Sequence, residues 1–114
     1  MPADPLPPPR YDHAKLAAFA ARLFEAAGCE PAKAGVMAAH LVEADLMGHT
    51  THGLAQAGAY LEELGAGTMR GSGAPRVLAD RGAAVTWDGD YLPGVWLATE
   101  ALDLASARAL RHGL

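Results

Sequence analysis

Glycine and proline cut this 114-residue chain into helix-length pieces, and that punctuation limits its possible folds more than any other feature. Asp12 is a good N-cap, and Leu16, Phe19, Ala20, Leu23 and Phe24 follow it at helical spacing. Gly28 suits the left-handed position that closes a helix, so the pattern predicts a first helix over residues 13–27. Pro31 belongs in the first turn of a second helix, whose apolar side is Ala34, Met37, Ala38, Leu41 and Val42 and whose end is Gly48. A third helix is expected from Leu54 to Leu64, with Ala57, Tyr60, Leu61 and Leu64 on one face and Gly65 as terminator. Residues 66–75 are glycine-rich, end in a proline, and read as a connecting loop.

Beyond that loop the period changes. Arg76-Val77-Leu78-Ala79 and Ala83-Ala84-Val85-Thr86-Trp87 read as short strands. Asp80-Arg81-Gly82 is the turn between them, and Asp88-Gly89-Asp90 a turn after them. From Val95 onward Leu97, Ala98, Ala101, Leu102, Ala105, Ala109 and Leu110 form one helical stripe, with Gly113 placed to cap it. Two short strands are marginal without further strands, and a chain ending just after a helix cap looks interrupted. The expected class is therefore α+β: three helices, a β-hairpin and a fourth helix, an incomplete part of a larger mixed fold.

Composition narrows the function classes. A formal charge of -4 and a pI near 5.6 argue against a nucleic-acid binder, which needs a basic face for phosphate. No apolar run is long enough to span a membrane, and no charged and apolar leader precedes the first helix, so no membrane partner is expected. The single cysteine, Cys29, cannot form an internal disulfide and fits a reducing, cytoplasmic setting. Residues 1–10 hold five prolines, so residues 1–11 are expected to form an extended or disordered tail. Pro5-Leu6-Pro7-Pro8-Pro9-Arg10 also fits a PxxPxR pattern, though such short patterns recur by chance.

The chemistry-bearing stretch is Asp45-Leu46-Met47-Gly48-His49-Thr50-Thr51-His52-Gly53-Leu54. Two histidines lie three residues apart, with hydroxyls between them and a glycine on either side, in a loop between two helices. Imidazoles titrate near neutrality, so a fixed but accessible loop histidine suits general acid–base work. Metal binding through His49 and His52, with Asp45 as a possible carboxylate, lacks the third or fourth ligand that zinc requires, and His-Glu-x-x-His is absent. The remaining alternative is that these side chains only cap helix ends. His40, inside the second helix, is compatible with a solvent-facing or a partly buried satisfied position. No Gly-x-Gly-x-x-Gly, P-loop, Gly-x-Ser-x-Gly or CxxC pattern occurs, so no cofactor-binding residue is assigned.

The same residues, Ala44-Asp45-Leu46-Met47-Gly48 followed by Thr51-His52-Gly53 and Tyr60-Leu61, resemble the type 2 malate/L-lactate dehydrogenase family. Members typically show Ala-Asp-Leu-x-Gly, then Ser-His-Gly, then Tyr-Leu. The likeness extends through Leu16–Gly28, Ala79–Gly94 and Ala101–Gly113. It implies an NAD- or NADP-dependent oxidoreductase that interconverts 2-oxo acids or cyclic imino acids and their reduced forms, on a cofactor fold that is not of the Rossmann type. It also implies a homodimer. On the matching positions, His52 becomes the proton donor and acceptor, and Thr51 the hydroxyl that orients it. His49 falls where the family varies and is carried as a weaker substrate-binding candidate beside Gln56. Gln56 stands where the family often has an arginine, and it offers no bidentate charged fork to a carboxylate.

The resulting organisation is a tail over 1–11, a helical segment with the histidine loop over 12–65, a linker over 66–75, and a hairpin plus helix over 76–114. The resemblance makes this last part the start of a truncated cofactor-binding domain. An N-terminal portion of this kind is expected to lack turnover alone. The competing reading is a non-catalytic truncated paralogue that acts as a helical interaction module through uncovered apolar faces.

Overall fold

The computed structural model describes residue 1 and residues 3–113; Pro2 of the expected tail and Leu114 of the expected last segment lie outside the described residues. The described residues form four α-helices and one antiparallel hairpin: α1 His13–Ala26, α2 Pro31–Leu46, α3 Ala57–Ala66, β1 Arg76–Asp80, β2 Val85–Asp88 and α4 Gly94–His112. Short 3₁₀ turns at Thr50–His52 and Leu54–Gln56 link α2 to α3. Residues 3–11 hold no helix or strand and are exposed.

The helix boundaries follow from local capping. Asp12 accepts a hydrogen bond from the Lys15 N–H at 2.8 Å and starts α1. At its other end Gly28 adopts a left-handed φ of 98°, and the Gly28 and Cys29 N–H groups reach the Glu25 and Phe24 carbonyls at 2.9 and 3.0 Å. Pro31 opens α2, as expected. The third helix departs from expectation at both ends. Leu54–Gln56 is a 3₁₀ turn rather than α-helix, and Gly65 lies inside α3 instead of ending it. Gly67 is the left-handed residue, with φ 75°, and the Glu63 carbonyl accepts from Thr68 N at 3.0 Å and Met69 N at 3.1 Å. Two glycines two residues apart can each end a helix; the one that lets the chain turn toward the hairpin does so.

The core is small and built from small residues. Ala20, Phe24, Cys29, Ala34, Met37, Ala38, Leu41 and Leu64 form one buried cluster, flanked by Leu54, Tyr60, Leu61, Met69 and Val95. Every apolar position expected on α2 is buried. On α1 only Ala20 and Phe24 are; Phe19 stays 53% exposed, because no described element lies over that side. The stripe on α4 is helical as expected but uncovered, with Leu102 65% and Leu110 92% exposed. Only the start of α4 packs on α2. There Lys33, 3% exposed, pairs with Glu30 and places its ammonium 4.1 Å from the centre of the Trp96 ring. Glu30 also draws the glycine-rich loop in, its N–H bonding the Gly71 carbonyl at 2.8 Å. A side chain at Gly71 would strike the Gly28 carbonyl and Cys29 backbone.

In the hairpin Arg76 pairs with Asp88, Val77 with Trp87, Ala79 with Thr86 and Asp80 with Val85, with a register irregularity between Val77 and Ala79. Asp80 belongs to β1, which ends one residue later than the sequence suggests, and Ala83 and Ala84 belong to the turn, so β2 begins two residues later. The reason is tertiary. Arg108 of α4 donates to both Asp80 carboxylate oxygens, at 2.7 and 2.8 Å, and to the Gly82 carbonyl, while Gly82 takes a left-handed φ of 78°. The expected turn after β2 is present: Leu92 N reaches the Gly89 carbonyl at 3.0 Å, with Asp90 and Tyr91 both at positive φ, and Arg70 pairs with Asp90.

The Arg108 fork holds the Asp80 carboxyl well below the usual carboxylate range, with the Gly82 N–H assisting. A depressed value in the folded state means this stabilisation is complete at neutral pH and lost as pH falls below the ordinary aspartate range. Asp80→Asn is expected to flatten the acid side of the stability profile, measured as thermal midpoints from about pH 7 to about pH 2. The pair is solvent-accessible, so the difference is modest and shrinks with added salt.

The radius of gyration is 17.7 Å, against about 13 Å for a compact domain of this length, and the longest extent is 68 Å. The extended tail contributes, but so does α4, which has no buried residue along 19 positions. A two-stranded sheet and an uncovered helix are parts of a larger mixed fold.

Candidate functional site

The histidine loop is held by its backbone before its side chains do anything. At the end of α2 Gly48 takes φ 81°, the Gly48 N–H bonds the Asp45 carbonyl at 3.0 Å, and the His49 N–H bonds the Ala44 carbonyl at 2.8 Å. This double bond pattern closes a helix with its left-handed glycine, so the backbone of His49 completes the cap of α2. His52 N then reaches the His49 carbonyl at 2.9 Å and turns the chain into the first 3₁₀ segment.

Three side-chain contacts complete the loop. Thr51 Oγ1 lies 3.0 Å from His52 Nδ1. Gln56 Nε2 donates to the Thr51 carbonyl at 2.7 Å. Asp45 Oδ2, from the last turn of α2, accepts from the Leu54 N–H at 2.9 Å. The direction of the Asp45 side chain was open from sequence; it points across the loop at a backbone donor. Among the described residues, no three His, Cys, Asp or Glu side chains are placed to share a metal ion.

Beside the loop lies an open groove of about 440 Å³, lined by His40, Glu43, Ala44, Met47, His49 and His52. Both loop histidines are thus brought to one recess. Thr51 and Gln56 stand behind the loop, bonded to its ring and its backbone, and do not line the groove. His40 and Glu43 were not singled out as groove residues by sequence reasoning. Their signal was present, since positions 40, 43, 44 and 47 recur at helical spacing beside the buried stripe. A second opening, about 460 Å³, lies between the hairpin and α4 and is lined chiefly by alanines with Val85, Trp87 and Leu104. Its charged residue, Arg108, is committed to Asp80.

Cys29 is buried, its sulfur 3.9 Å from that of Met37. Burial pushes its thiol up, against the pull of Lys33, so it is a packing residue and a poor nucleophile.

The close approaches at Gly53, Gly71 and Gly89 are made to Asp45, to the backbone at Gly28–Cys29 and to Leu97 of the same chain. No helix among the described residues is long and apolar enough to cross a membrane.

The described residues thus form an α+β segment that presents an imidazole and a neighbouring hydroxyl from a loop between two helices. The chain belongs to the malate/L-lactate dehydrogenase family, whose sequence profile matches residues 11–114. Hydroxycarboxylate dehydrogenase B of Escherichia coli is 33% identical over 105 residues, which is 92% of this chain and 29% of that protein. The solved structure of malate dehydrogenase from Pyrococcus horikoshii OT3 superposes with a TM-score of 0.88 at 26% identity, covering 91% of this chain and 30% of that one. An E. coli protein described as a malate/lactate dehydrogenase gives 0.85 at 33% identity, covering 93% and 30%. The chain therefore spans less than a third of the length of these relatives.

Proposed function

We propose that this chain forms the proton-transfer part of an oxidoreductase that interconverts 2-oxo acids, or cyclic imino acids, with their reduced forms. The observation that supports it best is the Thr51 Oγ1–His52 Nδ1 contact at 3.0 Å beside an open groove. With the Thr51 hydroxyl accepting from Nδ1–H, Nε2 is the ring nitrogen left for proton exchange with a substrate. The protonated His52 ring can then give its Nε2 proton to a substrate oxygen during reduction, and the neutral ring, still protonated at Nδ1, can take it back during oxidation. Gln56, expected as a substrate contact, commits its amide N–H to the Thr51 carbonyl behind the loop and acts by holding it, while His49 offers a second imidazole along the groove. Family membership supports NAD or NADP as the partner in the two-electron step; no residue described here is assigned to hold it, and residues 76–113 are taken as the beginning of the part that does. The same membership supports a homodimer. The lone, buried cysteine supports a cytoplasmic setting.

The test is oxidation of NADH and NADPH by the full-length gene product against a panel of 2-oxo acids and cyclic imino acids, repeated with His52 replaced. Turnover that survives the replacement refutes the assignment. The uncovered face of α4 favours a second reading, a non-catalytic module that pairs with another chain through Leu102 and Leu110. Calorimetric titration of the full-length product with NADH and NADPH separates the two, since a pure interaction module binds neither.

A further inference from the structure

We propose that Asp45 is a positioning residue for His52, acting through the backbone at Gly53–Leu54. Its catalytic consequence rests on the role of His52 given above; its structural part does not.

A helix N-terminus carries N–H groups without partners, and a side chain at the N-cap usually accepts one of them. The N-cap of the Leu54–Gln56 turn, which runs directly into α3, is Gly53, which has no side chain to do so. Asp45 supplies the acceptor from another helix: Oδ2 takes the Leu54 N–H at 2.9 Å. The same carboxylate fills the space beside Gly53, where any Cβ would collide with it. Gly53 is accordingly buried while its neighbour His52 is exposed. A charged acceptor on a backbone N–H is among the stronger hydrogen bonds, and the half-buried setting limits competition from water.

The consequence for His52 is geometric. The loop is held at His49 by the cap of α2, at Thr51 by Gln56, and at Leu54 by Asp45. After His52 the backbone is also held locally, Gly53 N to the Thr50 carbonyl at 3.3 Å and Gln56 N to the Gly53 carbonyl at 2.9 Å, and the Asp45 carboxylate is what ties this end of the loop back to α2. Without it this end of the loop is no longer tied to α2, the Gly53–Leu54 peptide is freer to turn, and the imidazole loses its fixed direction toward the groove. Asp45 therefore has no need to touch substrate.

Four variants of the full-length gene product test this: Asp45→Ala, Asp45→Asn, Gly53→Ala, and Asp45→Ala combined with Gly53→Ala. A misdirected proton donor should lower kcat by about ten-fold or more in Asp45→Ala, with KM within about three-fold. Asp45→Asn keeps an oxygen that accepts from Leu54 N and should recover kcat to within about three-fold of the parent. Gly53→Ala should resemble Asp45→Ala. The double variant should be no worse than Asp45→Ala, because removing the carboxylate makes room for the methyl group. Ring nitrogen NMR signals of His52 should move in Asp45→Ala while those of His13 and His112 stay in place.

Unmoved His52 signals in Asp45→Ala overturn the proposal, as does an Asp45→Asn variant as impaired as the alanine. If Asp45→Ala does not fold, Asp45→Asn and Gly53→Ala decide by the same signals. Should His52 prove dispensable for turnover, the proposed function fails, and the ring signals still decide whether Asp45 positions it.

Discussion

Replacing His52 by alanine is expected to lower kcat for reduction of a 2-oxo acid by about 10²–10⁴-fold, with a smaller effect on KM. The range is that of a proton delivered by a positioned group, and it applies because the geometry here supplies position. The ring is bonded at Nδ1 by Thr51, its loop is closed by the cap of α2, and it opens onto the groove shared with His40 and Glu43. Thr51→Ser keeps the hydroxyl and should stay close to the parent, whereas Thr51→Ala frees the ring and should fall between the parent and His52→Ala. Steady-state kinetics over a pH series check both. A His52→Ala enzyme within a few-fold of the parent would sink the acid–base assignment, and identical behaviour of Thr51→Ser and Thr51→Ala would remove Thr51 from it.

Phe24→Ala should be the most damaging core substitution, costing about 3–5 kcal/mol. Phe24 is 0% exposed, its ring centre lies 6.4 Å from that of Tyr60, and its carbonyl receives the Cys29 N–H that closes α1. Its neighbours in the cluster include Ala20, Ala34 and Ala38, which are too short to refill the space. Small domains are stable by only about 5–15 kcal/mol, so such a loss is a large share of the whole. Leu110→Ala, at a position 92% exposed, should change stability by no more than about 0.5 kcal/mol. Urea unfolding of the two variants makes the comparison, and equal midpoints would mean the core has been placed wrongly.

The periodic apolar positions of α2 were legible because a helix face repeats within four residues, and all five are buried. The caps at Gly28 and Gly48 were legible for the same reason, since the bonds that close a helix join residues five apart or fewer. The cap of α3 was not, because Gly65 and Gly67 offer equivalent local chemistry and the path to the hairpin chose between them. The turn of the hairpin starts one residue and ends two residues beyond its expected place for a similar reason. Asp80 is drawn into β1 by an arginine that follows it by 28 positions, which no turn rule contains.

By itself the sequence determined the element order, the α+β class, the lack of a Rossmann fingerprint, and a loop that offers His52 behind Thr51. Each of these is written in periodicity, capping residues or a short contiguous pattern, where the interacting groups are neighbours along the chain. Only the tertiary structure decided that Asp45 faces the Leu54 N–H, that His40 and Glu43 share the groove with His52, and that Lys33 lies buried against Trp96. Those outcomes depend on how α2 crosses α4 and how the loop folds back on α2, distances that side-chain chemistry can exploit but that spacing along the chain does not encode.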